Sequence, residues 1–120
     1  MASILRVNTL TDASSNNSVP MATVSSGSAK AWVLGSDAAA LTKSFNISGG
    51  TDNGTGDYTY TISSAMDSAN FTSHATGMQN ARRYGFSEAR TTTSNRLDFR
   101  DDNELSADCA NSSAIHGDLA

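Results

Sequence analysis

Proline and cysteine occur once each in 120 residues. A single cysteine, Cys109, excludes an intrachain disulfide and any metal site built on clustered thiolates. A disulfide-stapled secreted fold is therefore excluded, and synthesis in a reducing cytoplasm fits. Cys109 is read as a small buried hydrophobe rather than as a nucleophile or an interchain bridge. Basic charge is also scarce: 8 Lys and Arg against 12 Asp and Glu leave a net charge of −4. Nucleic-acid binding needs clustered cations to neutralise phosphates, so no nucleic-acid partner is expected. The one basic pair, Arg82-Arg83, reads as a solvated strand face. No apolar run approaches the roughly 20 residues a bilayer span needs, so no membrane insertion is expected. The opening MASILRVNTL has no cleavage-like tract and does not read as a signal peptide. Aromatics are only 7% of the chain, so any core rests on few large groups. That argues weakly for further burial between subunits.

What the chain does have is one well-patterned stretch, TKSFNISGGTDNGTGDYTYTIS, from Thr42 to Ser63. Apolar residues alternate on both sides of a glycine-rich break. Phe45 and Ile47 are expected on one face before it, and Tyr58, Tyr60 and Ile62 on one face after it. Asp52, Asn53 and Gly54 supply turn chemistry in the break, with Asp57 opening the second strand. The spacing predicts an antiparallel hairpin with an ordered, exposed loop.

Before this hairpin, Ile4, Leu5, Val7 and Leu10 form a short apolar segment, followed by a polar tract up to Val19-Pro20. Residues 1–27 are expected to be an extended arm whose apolar side chains need cover from a neighbour. Ala29 to Leu34 reads as the first strand of the body, and residues 37–41 as one helical turn at most. Phe71, Ser73 and Ala75 alternate with Thr72, His74 and Thr76, which predicts a strand from Asn70 to Thr76. Tyr84 and Phe86 flank Gly85, a candidate bulge, in a strand over 80–88. Residues 89–100 read as the longest strand, because Thr91, Thr92 and Thr93 favour extended backbone. Within it Leu97 and Phe99 share one face, and Arg96, Asp98 and Arg100 the other. Asp101-Asp102-Asn103 is a turn, and Ile115 to Leu119 a short last strand. Many short strands with frequent turn signals predict an all-β fold, an antiparallel β-sandwich or a jelly-roll-like barrel over residues 28–120.

Catalytic and ligand-binding signals are weak. The loop GGTDNGTGD lacks the Lys and Ser/Thr of a phosphate loop and precedes a strand, so that reading fails. Asp52, Asn53 and Asp57 make a poor start for a cation that wants six or more oxygens. Asp98, Asp101, Asp102 and Glu104 read as a solvated rim in preference to a cation site. His74 and His116 do not lie in a metal-ligand spacing, and no G-x-S-x-G elbow occurs. No catalytic residue, cofactor or metal is expected. Isolated aromatics (Trp32, Tyr58, Tyr60, Tyr84) in a Ser, Thr, Asn and Gly background suit either ordinary core or a surface for glycans or protein partners.

Three segments carry a family resemblance. SILRVNTLTDASSNNS resembles the N-terminal segment of small virion proteins of marine tailed bacteriophages. AKAWV, SFNIS and TDNGTGDYTYTISSAM resemble the body of the same proteins, and HGDLA resembles their ending. Residues 77–113 match less clearly. Such proteins are labelled tail-fibre or structural proteins. The resemblance implies a non-enzymatic, β-rich homotrimer on the virion surface, made in the host cytoplasm. The implied partners are further copies of the chain and other virion proteins, the major capsid protein foremost, with a host surface glycan or receptor as a further candidate. A capsid decoration (cement) role needs only a compact trimer and a contact surface, which the arm could supply. It is slightly favoured over a tail-fibre, receptor-binding role, which calls for an anchor and a shaft.

Overall fold

The computed structural model describes residues 3–78 and 82–120. It is mostly β with one short helix, and all strand pairs are antiparallel. The arm is not uniformly extended. Strands β1 (Thr9–Thr11) and β2 (Ser18–Pro20) pair as a small hairpin, and helix α1 (Met21–Gly27) follows. Pro20 explains the switch: its fixed φ of −62° ends the strand and opens the helix without a donor being lost. At seven residues α1 is too short to be read from periodicity, and none of its residues is buried.

The body contains two four-stranded sheets. The first runs β4 (Leu41–Phe45), β3 (Ala31–Gly35), β10 (Asn111–His116), β7 (Thr72–Gly77). The second runs β5 (Ile47–Gly54), β6 (Asp57–Ile62), β9 (Ser94–Arg100), β8 (Tyr84–Thr91). Both contribute to one apolar cluster. Ala31, Val33 and Ile115 enter it from the first sheet, and Tyr58, Tyr60, Ile62, Leu97 and Phe99 from the second. The expected shared faces of Tyr58, Tyr60 and Ile62 and of Leu97 and Phe99 are all buried. Tyr58 and Phe99 pack with ring centroids 5.9 Å apart. Gly85 is set against the same ring: a Cβ there would lie 2.3 Å from the Phe99 Cε1. The bulge predicted at Gly85 falls instead between Ser87 and Ala89.

A polar rung crosses the core. Asn95 of the second sheet is buried, accepts a hydrogen bond from Ser87 Oγ at 2.8 Å and donates to Ser73 Oγ of the first sheet at 2.7 Å. Asn111 does the same work lower down, accepting from Tyr60 Oη at 2.8 Å and donating to the Cys109 carbonyl at 3.1 Å. Buried amides are tolerated here because their partners are supplied by the opposite sheet or the adjoining loop.

Three expectations are corrected. Phe45 and Ile47 do not share a face: they lie in different sheets, Phe45 exposed and Ile47 buried. The corner is Asn46, at φ 55°, a region Asn tolerates better than most residues. Its side chain accepts from Ser64 N at 2.6 Å and donates to the Lys30 carbonyl at 3.0 Å, so the corner is tied at both ends. Residues 89–100 are not one strand but the end of β8, a tight turn at Thr92-Thr93, and β9. Thr93 N donates to Thr91 Oγ1 at 3.2 Å, a hydroxyl-closed turn that outweighs the β preference of threonine. The last strand is β10, at Asn111–His116 rather than 115–119. Part of the expected 80–88 strand lies outside the described residues.

Candidate functional site

The β5–β6 hairpin tip is exposed, as its turn residues predict, and internally fixed. Gly54 N donates to Asp52 Oδ1 at 3.0 Å. Asn53 Nδ2 donates to Asp57 Oδ1 at 3.3 Å and to Thr59 Oγ1 at 2.7 Å. Gly56 adopts φ 69° and its N donates to Asp108 Oδ1 at 2.7 Å, which docks the turn on the segment before β10. These contacts place Asp52 and Asn53 in the turn itself and direct Asp57 elsewhere. Its carboxylate takes two hydrogen bonds from Arg96, at 2.8 and 2.5 Å. The Arg96 guanidinium holds the Asp57 carboxyl below its ordinary range.

The rest of this sheet's outer face carries paired charges beside two exposed aromatics, Tyr84 and Phe86. Arg96 Nε also lies 3.2 Å from Glu88 Oε2, and Arg100 Nε lies 3.3 Å from Asp98 Oδ1. The Arg100 guanidinium sits 5.5 Å from the centroid of the Phe86 ring. Of the acidic residues near the strand end, Asp98 is taken by Arg100, and Asp101 accepts from Asn103 N and Leu105 N within its own turn. Asp102 faces Arg82 at 3.6 Å across the surface.

The outer face of the first sheet is different in kind. Register aligns Phe45, Trp32, Ala114 and His74 in one row and Lys43, Leu34, Ser112 and Thr76 in the next. Small residues on β10 lie between larger ones on β3 and β7, so a trough of about 300 Å³ runs along β10. Trp32 is 38% exposed and Phe45 53%. No side chain lining the trough is a carboxylate, an ammonium or a guanidinium. At its end His116 meets His74 edge to face, 5.9 Å between ring centroids, with His116 Nδ1 buried and without a hydrogen-bond partner among the described residues. The two histidines are 42 positions apart in sequence, and only the pairing of β7 with β10 brings them together. Polar Asn111, Ser112 and Ser113 hid that strand from hydrophobic patterning.

Of the four aromatics considered as a contact surface, Tyr58 and Tyr60 are buried and only Trp32 and Tyr84 reach the surface. Burial pushes both buried phenols up from their ordinary pKa. The Tyr58 hydroxyl lies 3.0 Å from the Asp37 carbonyl and 3.2 Å from Asp108 Oδ1, and accepts from Cys109 N at 3.2 Å. Cys109 is free and fully buried, and burial raises its thiol pKa, away from the thiolate a nucleophile needs.

The arm residues named from sequence are exposed. Ile4 is 76% and Leu5 79% accessible, and Val7 and Leu10 are also exposed. The arm's main contacts are internal, β1 on β2 and β2 on α1. Comparison with protein-family models, with curated proteins and with solved structures finds no match to this chain.

Proposed function

We propose that this chain is a non-enzymatic structural protein of a tailed-phage virion, a homotrimeric β-sandwich on the particle surface, held there through its N-terminal region. The observation that carries the reading is the arm. Four apolar side chains stand in solvent within residues 4–10, and the body leaves them uncovered. A segment of this kind becomes stable when a neighbour buries it. The resemblance of the same segment to virion proteins supplies the class of neighbour. The sandwich reading is supported by two antiparallel sheets that feed a single core.

Capsid decoration, with the major capsid protein as partner, is the first role this suits. The tail-fibre, receptor-binding role is favoured by one observation: the hairpin tip at 51–55 is both exposed and fixed by its own hydrogen bonds, as suits a contact loop for a host glycan or receptor. Copy number in purified particles tests the proposal. Quantitative mass spectrometry giving a number comparable with the capsid protein supports decoration. A handful of copies supports the tail appendage. Absence from particles overturns the virion reading.

A further inference from the structure

Among the described residues two apolar surfaces lack a partner, and they match. The trough on the first sheet has Ser112 and Ala114 as its floor, Trp32 and Leu34 as one wall, His74 and Thr76 as the other. Its walls stand on strands two spacings apart, about 9.6 Å, and it runs parallel to β10. Such a shape admits one extended chain carrying uncharged side chains. Residues 3–7 can present such a face: outside any strand or helix, they place Ile4 and Arg6 on one side of an extended backbone and Leu5 and Val7 on the other. Their separation, about 6.8 Å, is that of the two rows crossing the trough. Arg6 then projects away from the uncharged walls.

The arm does not fill its own trough. Its packing is internal, and the molecule measures 52 × 30 × 27 Å with a radius of gyration of 17.1 Å. A compact chain of this length has about 13.6 Å. Each copy therefore offers an uncovered apolar segment and an uncovered apolar groove.

We infer that residues 3–7 of one copy lie in the trough of a second copy, with Leu5 and Val7 over the Ser112 and Ala114 floor and beside the Trp32 wall, while Ile4, on the opposite side of the extended backbone, and Leu10 are left for the particle contact proposed above. Contact of this type, passed head to tail, is heterologous, and it closes a ring where the rotation between copies allows. The number three rests on the trimer proposed above, whereas the exchange itself does not. Area supports an arm over face-to-face stacking alone. The outer face is about 19 Å wide and 20 Å long by strand dimensions, roughly 380 Å² of flat area. A stable interface needs about 800 Å² per partner. In a ring each copy both gives an arm and receives one, so the exchange adds its contact twice.

The test is a pair of cysteine substitutions in the full chain, Leu5→Cys and Ala114→Cys. Both positions face outward, so neither change disturbs the core. Mixed, refolded and mildly oxidised, the two single variants should give a reducible species of twice the chain mass that neither gives alone. The double variant should give a ladder ending at the ring. A double variant that stays folded by circular dichroism yet cross-links only within one copy, or not beyond the single-variant controls, overturns the inference. Trp32, the only tryptophan, supplies a second readout. Deleting residues 2–8 should raise its collisional quenching by acrylamide at least twofold. Unchanged quenching means the arm never covered it and also overturns the inference. An intact trimer without the cross-link would sink this inference alone, whereas cross-linked chains absent from particles would sink the virion reading alone.

Discussion

The two outer faces of this molecule are built on the same inner architecture and end in opposite chemistry. On the β5-β6-β9-β8 sheet, Arg96 is shared by Asp57 and Glu88, and Arg100 is paired with Asp98 and laid over Phe86. Each of these charges has a partner from its own chain, although Phe86 and Tyr84 also reach solvent on this face. On the β4-β3-β10-β7 sheet the corresponding rows hold Phe45, Trp32, Leu34 and Ala114 beside two histidines, small hydroxyl residues and one charge, Lys43 on β4. Nothing among the described residues covers the aromatic groups. A face complete in itself belongs in water. A face whose half-exposed aromatics flank an uncharged trough is, on the inference above, completed by another copy. Apart from the bulges in β3, β5 and β8, both faces alternate with the same core, so the difference lies in the outward positions.

If the sheets share one core, damage to it should not respect the difference between the faces. Leu97→Ala removes a fully buried side chain between them and should cost about 2–5 kcal/mol. Denaturant unfolding should remain a single transition, coincident by Trp32 fluorescence and by circular dichroism. Two separated transitions would show that the faces belong to independent units. Outward substitutions should then separate the faces. Trp32→Ala with Phe45→Ala should weaken self-association at least tenfold, read as a shift in the concentration at which the oligomer dissociates. Arg96→Ala should leave that concentration within about twofold. The reverse result would assign the interface to the charged sheet.

The smallest effect belongs to the charged face alone. Asp57→Asn should lower stability by about 0.5–1 kcal/mol at neutral pH, the range for a partly exposed pair. The folded Asp57 carboxyl titrates below its ordinary value of 3.8, so its contribution is fully present above that value. It is lost as pH falls through the lower folded value. Chemical denaturation of the two proteins should therefore differ at pH 6 and converge under strongly acidic conditions, and the gap should shrink with added salt. A gap that persisted in acid would place the effect in the lost packing of the side chain, not in its charge.

Much of the second sheet was legible in the sequence. Tyr58, Tyr60, Ile62, Leu97 and Phe99 alternate with polar residues, and period-two patterning speaks directly when large apolar groups occupy the inward positions. The alternation of β7 was legible more faintly, through Phe71 just before it and Ser73 and Ala75 within it. What was hidden has a common cause, in that polar residues carry structural duties there. Asn46 turns the chain from one sheet to the other through its left-handed backbone and its side-chain bonds. Thr91 closes a turn with its hydroxyl where its β-branching suggested continuing strand. The central strand β10 buries Asn111 and Ser113, so its inward face does not look apolar. The trough shares that origin: its floor is the small, polar strand that patterning passes over, and its walls come from segments some 40 residues apart.

Mass in solution tests the central claim, that this chain is completed by copies of itself, most directly. Light scattering of the full chain at micromolar concentration should give three times 12.5 kDa, about 37.5 kDa. The same protein lacking residues 2–8 should fall toward the single-chain mass while keeping its β circular dichroism. A well-folded full chain that stays at 12.5 kDa across the accessible concentration range would contradict the account. The neutral face would then have to be assigned to a different partner.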